Sequence, residues 1–306
     1  MWPGRWRATG MKKAGWRPDR FLPGFEALTL EQPADYDGAV VATLVRLPAA
    51  SAPRGAALYV HGFSDYFFQR HMARRFSAEG YAFYALDLRK HGRSLLPRQH
   101  PNFCKSIGEY YADLDAALDA IGQPVLLCGH STGGLVASLY AHEGARRGSL
   151  RGVWLNSAFF DWRAPDWRRP QLHLAAASGR FLPFLNNPDP FPPDYQQALL
   201  EEWEFDTALK PLRGFPVYYG WIGAIADAHE KLHRGLDIRC PVLSMHSDEA
   251  DVVLDWRSIA RWSRGLGKQV RVLAFPGAWH DLVCSPGATR EAVFSALFSW
   301  AERALA

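Results

Sequence analysis

The stretch Val125-Leu126-Leu127-Cys128-Gly129-His130-Ser131-Thr132-Gly133-Gly134 decides the reading of this chain. Val125 to Cys128 is a short apolar run of the kind that forms a buried strand, and Leu135, Val136, Leu139 and Tyr140 return at helical spacing directly after it. Between the two, Gly129 to Gly133 matches G-x-S-x-G. The motif alone is a weak signal. In the order strand, motif, helix it is the context of a nucleophile elbow. A serine there sits on a sharp, strained turn. Side chains two residues before and two after it would collide with the neighbouring strand and helix, so both positions are glycine. The hydroxyl then stands above the sheet, and the helix N-terminus behind it favours developing negative charge.

Strands and helices alternate on both sides of the elbow. Before it come strands at 25–30 and 40–47, joined by a turn containing Pro33, Asp35, Asp37 and Gly38, then a strand at 56–60 that ends in His61-Gly62-Phe63. A helix over 69–78 stops at Gly80, a strand follows at 81–86, and a helix over 106–121 opens with Ser106 and Glu109 at capping-box spacing. After the elbow helix a strand is expected at 153–156. The rhythm breaks from 157 to 239, a segment rich in proline and aromatic residues with a few short helical stretches, and resumes with strands at 242–246 and 269–275 and helices at 256–266 and 289–305. The expected fold class is therefore α/β: a mostly parallel eight-stranded sheet flanked by helices, made of 21–156 and 240–306, with 157–239 inserted as a cap. Ligands bind outside the carboxyl ends of such strands, so the elbow and the loops after residues 60, 246 and 275 converge on one edge, beneath the cap.

Composition narrows the function. The chain has 306 residues, 48% of them hydrophobic, which suffices for one large α/β domain. It holds no apolar run long enough to span a membrane and no secretory signal pattern, so a cytoplasmic location is expected. Residues 1–20 carry six basic side chains and one acid, and the remainder of the chain sums to −1. The body thus has no nucleic-acid footprint. The basic start reads as a mobile extension with at most weak contact to an anionic membrane surface. Four widely spaced cysteines form neither a disulfide framework nor a zinc site, and no metal motif occurs.

A serine hydroxyl needs a base. His280, in the glycine-containing loop Gly277-Ala278-Trp279-His280-Asp281, stands where the order Ser, acid, His requires it. His130 supports the elbow, and His61 and His91 orient their loops. Three carboxylates follow the strand at 242–246. Asp251 is favoured as the acid, Asp248 is the alternative, and Asp255 reads as a helix N-cap. The oxyanion donors are the backbone amides of Phe63 and Thr132.

Together, Tyr59 to Phe63, the D-x-R-x-x-G-x-S run from Asp87 to Ser94, Gly129 to Gly133, Asp251-x-Val253 and Gly277 to Asp281 resemble the α/β-hydrolase superfamily. Within it they resemble the group of monoacylglycerol lipases, lysophospholipases and S33 serine aminopeptidases. The resemblance implies Ser131 as nucleophile, His280 as general base and acid, an aspartate as third member, and no cofactor. One departure stands out: family members usually place the acid directly after a glycine turn, whereas Ser247 to Asp251 contains no glycine. The cap varies across the group and sets the substrate. Its aromatic content points to a small ester or lipid-like substrate with an apolar acyl group. The alternatives are an aminopeptidase using Glu201, Glu202, Glu204 or Asp206 to hold an amine, a thioesterase, and a non-catalytic binding protein. An epoxide hydrolase or dehalogenase would need aspartate where Ser131 stands.

Overall fold

A computed structural model describes residues 15–48, 52–164, 166–188, 190–248 and 250–305. In chain order the strands are β1 (Arg17–Pro18), β2 (Glu26–Asp35), β3 (Gly38–Arg46), β4 (Gly55–Val60), β5 (Tyr81–Asp87), β6 (Val125–His130), β7 (Leu150–Asn156), β8 (Asn186–Asn187), β9 (Val217–Tyr218), β10 (Val242–His246) and β11 (Val270–Ala274). The helices are α1 (Arg70–Ala78), α2 (Tyr111–Ile121), α3 (Thr132–Glu143), α4 (Arg169–Gly179), α5 (Asp194–Glu202), α6 (Tyr219–His233), α7 (Trp256–Ser263) and α8 (Gly287–Ala304).

Nine strands make the main sheet, in the order β1-β2-β3-β5-β4-β6-β7-β10-β11. From β5 to β11 every pairing is parallel, while β1, β2 and β3 pair antiparallel. Eight of the nine are the expected strands. The ninth, β1, corrects the N-terminal reading: residues 15–20 belong to the body. Trp16 packs against Tyr84, with the Arg46 guanidinium 4.0 Å over its ring, and the buried Asp19 is ion-paired with Arg93 at 2.8 Å. Residues 1–14 lie outside the described residues. Strand β2 also runs further than expected, through Pro33. The register slips between Gln32 and Asp35, so Pro33 falls where no ladder donor is needed.

Central strands β4 and β6 are buried on both faces, as a sheet covered by helices requires. Helix α3 is buried all round from Thr132 to Ala141, because it packs on β6 and β7 and also meets α6; the one-sided apolar stripe expected for it is only part of its buried surface. The capping signal before α2 works in altered form. Ser106 Oγ accepts the Gly108 N–H at 3.2 Å, while Glu109 reaches back to Lys105 at 2.8 Å, and the first turn is a 3₁₀ turn. Gly122 ends α2 at φ +68°. Between β7 and β10 lie α4, α5, α6 and the two-residue ladder β8–β9, where no strand was expected. None of the described helices is long and apolar enough to cross a membrane.

Candidate active site

Ser131 occupies the turn between β6 and α3 at φ 51°, ψ −119°, a conformation that residues with a side chain rarely adopt. Its surroundings hold it there. The Ser131 N–H donates to the Asn156 carbonyl at the end of β7 (3.0 Å), and its own carbonyl accepts from Gly134 and Phe159 (2.9 Å each). A Cβ at Gly129 would lie 2.8 Å from the Gly134 Cα, and one at Gly133 would overlap the carbonyl oxygens of Val60 and His61. Both motif glycines are thus required by close backbone approach. So is Gly134, where a Cβ would come within 2.9 Å of Ala158 Cα; the motif alone gives no signal for that third glycine.

His280 is buried at the end of the loop after β11. Its Nδ1–H donates to Asp251 Oδ2 at 2.9 Å, and its Nε2 is a buried nitrogen with no hydrogen-bond partner. The other oxygen of Asp251 accepts from the amides of Val253 (2.8 Å) and Leu254 (2.9 Å). Burial pushes the Asp251 carboxyl up, but the His280 charge, its hydrogen bond and these two amides together outweigh it, and the pKa lies below the usual carboxylate value. Asp251 is therefore the carboxylate brought to His280. Asp248 is not: its Oδ1 accepts from Ala250 and Gly277, both at 3.1 Å. This explains the missing glycine. The Asp248 side chain makes the turn into the acid loop and pins that loop to the histidine loop. Asp255 caps α7 by accepting from Arg257.

The remaining assignments concern loops. His61 Nε2 accepts from Leu88 at 3.1 Å, so its Nδ1–H donates to the Gly62 carbonyl at 2.8 Å. One imidazole thereby links the loop after β4 to the Asp87–Ser94 run. His91 Nδ1 meets the Arg89 carbonyl, and His130 Nδ1 meets the Asn156 carbonyl. Within that run, Asp87 binds the Phe67 amide and Arg93, Arg89 is bidentate on the buried Asp113, and a Cβ at Gly92 would lie 2.6 Å from Asp87 Oδ2. Its polar residues are spent on internal partners. The amides of Phe63 and Thr132 make no hydrogen bond to any described residue. Gly62 abuts the nucleophile: a Cβ there would lie 3.1 Å from Ser131 Cβ.

Asp281 went unremarked in the sequence beyond its place beside His280. It is fully buried and accepts from Asn156 Nδ2 (2.7 Å), Gln69 Nε2 (3.0 Å) and Cys284 Sγ (3.3 Å). Burial raises its pKa, but the His130 ring and these donors together hold it below the ordinary value. Its own amide donates to Tyr195 Oη on α5 at 3.1 Å. A second carboxylate thus fixes the histidine loop from behind and ties it to the segment after β7. No pattern in the sequence pairs residues 69, 156 and 281; only the fold does.

Aromatic side chains cover this edge. The Phe63 ring lies 4.3 Å from Trp221 and 6.2 Å from Phe191, and Trp221 is 6.1 Å from Trp162. Among the described residues no cluster of His, Cys, Asp and Glu is arranged to hold a metal ion. The four thiols are free; burial pushes that of Cys104 up to about 12 and that of Cys240 to about 11.

Residues 51–286 match the family model described as serine aminopeptidase, S33. A monoacylglycerol lipase of Mycolicibacterium smegmatis is 27% identical over 266 residues, 81% of this chain and 88% of that protein. Two solved structures share the fold. A soluble variant of monoglyceride lipase from Saccharomyces cerevisiae, in complex with a substrate analog, superposes with a TM-score of 0.71 at 18% identity, covering 90% of this chain and 96% of that one. The monoacylglycerol lipase of Paleococcus ferrophilus gives 0.67 at 24% identity, covering 84% and 97%.

Proposed function

The chain belongs to the S33 serine aminopeptidase family of α/β-hydrolases, and from that premise we propose that it is a serine hydrolase of carboxylic esters with an apolar acyl group, such as a monoglyceride, a lysolipid or a small ester. Ser131 is the nucleophile, His280 the base, Asp251 the acid, and the amides of Phe63 and Thr132 the oxyanion donors. The segment 157–239 is the cap. His280 Nε2 takes the proton of Ser131 Oγ as the oxygen attacks the ester carbonyl. The tetrahedral oxyanion forms against the two unpaired amides, and His280 returns the proton to the leaving alkoxide. Water then repeats the sequence on the acyl-enzyme. Asp251 stays ionised throughout, fixing the tautomer and stabilising the imidazolium.

One observation carries this reading: His280 gives Nδ1 to Asp251 and leaves Nε2 unpaired, with its ring 4.9 Å from that of His130 in an elbow whose serine is held at positive φ. Ester rather than peptide chemistry is supported by the position of the acids an amine would need. Glu201, Glu202, Glu204 and Asp206 are all exposed, and Glu204 is paired with Arg70 at 2.7 Å. The likeness to a named monoacylglycerol lipase points the same way.

Intact-mass measurement after treatment with a fluorophosphonate tests the assignment. A single adduct is expected on the wild type and none on Ser131→Ala, whose ester turnover falls by about 10⁴- to 10⁶-fold. No adduct on folded wild-type protein would make it a binding protein rather than an enzyme.

A further inference from the structure

The buried polar atoms without a hydrogen-bond partner include His280 Nε2, used above, and Nε1 of Trp221. Trp221 lies in the first turn of α6 and is 3% exposed. Its ring is 4.3 Å from that of Phe63, whose neighbour Gly62 abuts Ser131. The indole thus packs on the side chain of Phe63, the residue whose amide is assigned above to the oxyanion and whose neighbour Gly62 touches the nucleophile. Indole N–H is a donor only. The rings around it, Phe63 and Trp162, offer no oxygen to accept from it. Interiors retain few such unpaired donors, because leaving one dry is unfavourable. A donor kept at this place is explained if the substrate supplies its acceptor.

The chemistry of an ester says which acceptor. An alkyl acyl chain has none. The carbonyl oxygen goes to the amides of Phe63 and Thr132. What is left is the alcohol side. We propose that Trp221 is a specificity residue whose indole N–H donates to a hydroxyl or ether oxygen on the alcohol portion of the ester. The preferred substrate then carries such an oxygen close to the scissile bond, and a plain alkyl ester of the same acid is the poorer substrate. This rests on the ester-hydrolase reading above.

The test compares a 1-monoacylglycerol with the propyl ester of the same fatty acid, on wild type and on Trp221→Phe, which keeps a ring and removes the donor. Wild type should favour the glycerol ester by about tenfold in kcat/KM. In Trp221→Phe that ratio should fall to within about twofold, with the propyl ester turned over at close to the wild-type rate. A wild-type enzyme that does not distinguish the two esters overturns the proposal whatever the variant does. So does a variant that keeps the wild-type ratio, or one that loses both esters equally while Ser131 still takes the fluorophosphonate at the wild-type rate. Failure of the underlying reading has a different signature: neither ester is turned over and Ser131 takes no adduct.

Discussion

The edge around Ser131 and the segment between β7 and β10 face each other but are built by different rules. Around the elbow, backbone meets backbone. Gly129, Gly133 and Gly134 leave no room for a Cβ, and polar side chains such as Asp87, Asp251 and Asp281 are each spent on two or more partners. The segment after β7 is held by scattered single bolts. Its half from 195 to 215 is fastened to the body through Tyr195 and Asp281, Trp203 and the Cys284 carbonyl, Asp206 and Tyr66, Phe215 and Ser64, and the buried pair Lys210–Asp65 at 2.7 Å. Its other half, α4 and the turn after it, packs on α6 and leaves Leu174, Phe181, Leu182 and Leu185 largely exposed. Geometry is fixed where the proposed chemistry happens and relaxed where a substrate would arrive.

The sharpest way to break this contrast is Gly133→Ala. The added methyl would overlap two main-chain oxygens that cannot rotate away, so the cost should be about 3 kcal/mol or more. Urea denaturation should show a collapse in midpoint or no folded protein at all. A variant that unfolded within about 0.5 kcal/mol of wild type would show that the elbow has slack, and the division drawn here would fail.

Acid should act on the buried histidines before it acts on the carboxylates of the site. His71 on α1 stacks on Trp203 at 4.0 Å and meets the Val283 carbonyl, and His229 on α6 meets the Phe159 carbonyl. Burial lowers both, from 6.5 to about 4. The folded protein therefore binds these protons later than the unfolded chain does. The stability they contribute is complete above pH 6.5 and is lost as pH falls toward 4, on the order of 3 kcal/mol for each at the acid limit. Asp251 and Asp281 work in a lower window. Their folded values are depressed, so what they contribute is present above about pH 4 and disappears only below it. Denaturation midpoints should thus decline between pH 6.5 and 4.5. The decline should be shallower in His71→Gln/His229→Gln, with a remainder from His91, His130 and His246, which burial also lowers. A flat profile in the wild type, or an unchanged slope in the double variant, would count against this origin.

How far the sequence carried the reading follows the same division. The sheet, the elbow and the loops after β4, β6, β10 and β11 were legible because apolar runs, glycine and helical spacing are local signals. Choosing Asp251 over Asp248 was not purely local. Both lie in one short loop, and which one meets His280 depends on how that loop and the loop after β11 come together. Gln69, Asn156 and Asp281 were illegible for the same reason: they are brought together from the N-cap of α1, the end of β7 and the histidine loop. The segment after β7 was read as proline-rich and aromatic with a few short helical stretches, so the 15-residue length of α6 and the β8–β9 ladder came from the structure alone. Its elements are set by tertiary packing, as in the close approach of Gly220 to Phe103.

The smallest expected effect sits at the far end of the contrast. Phe181, just past α4, is 84% exposed, so Phe181→Ser forfeits little burial and should change stability by no more than about 0.5 kcal/mol. The two halves of the segment then make separate demands on one measurement. If Phe181→Ser leaves both the denaturation midpoint and the fluorophosphonate labelling rate of Ser131 untouched, the α4 half rests on the body without steering the elbow. If stability holds but labelling slows or quickens severalfold, the exposed face governs access to the serine, and the contrast becomes one between a fixed site and the gate above it.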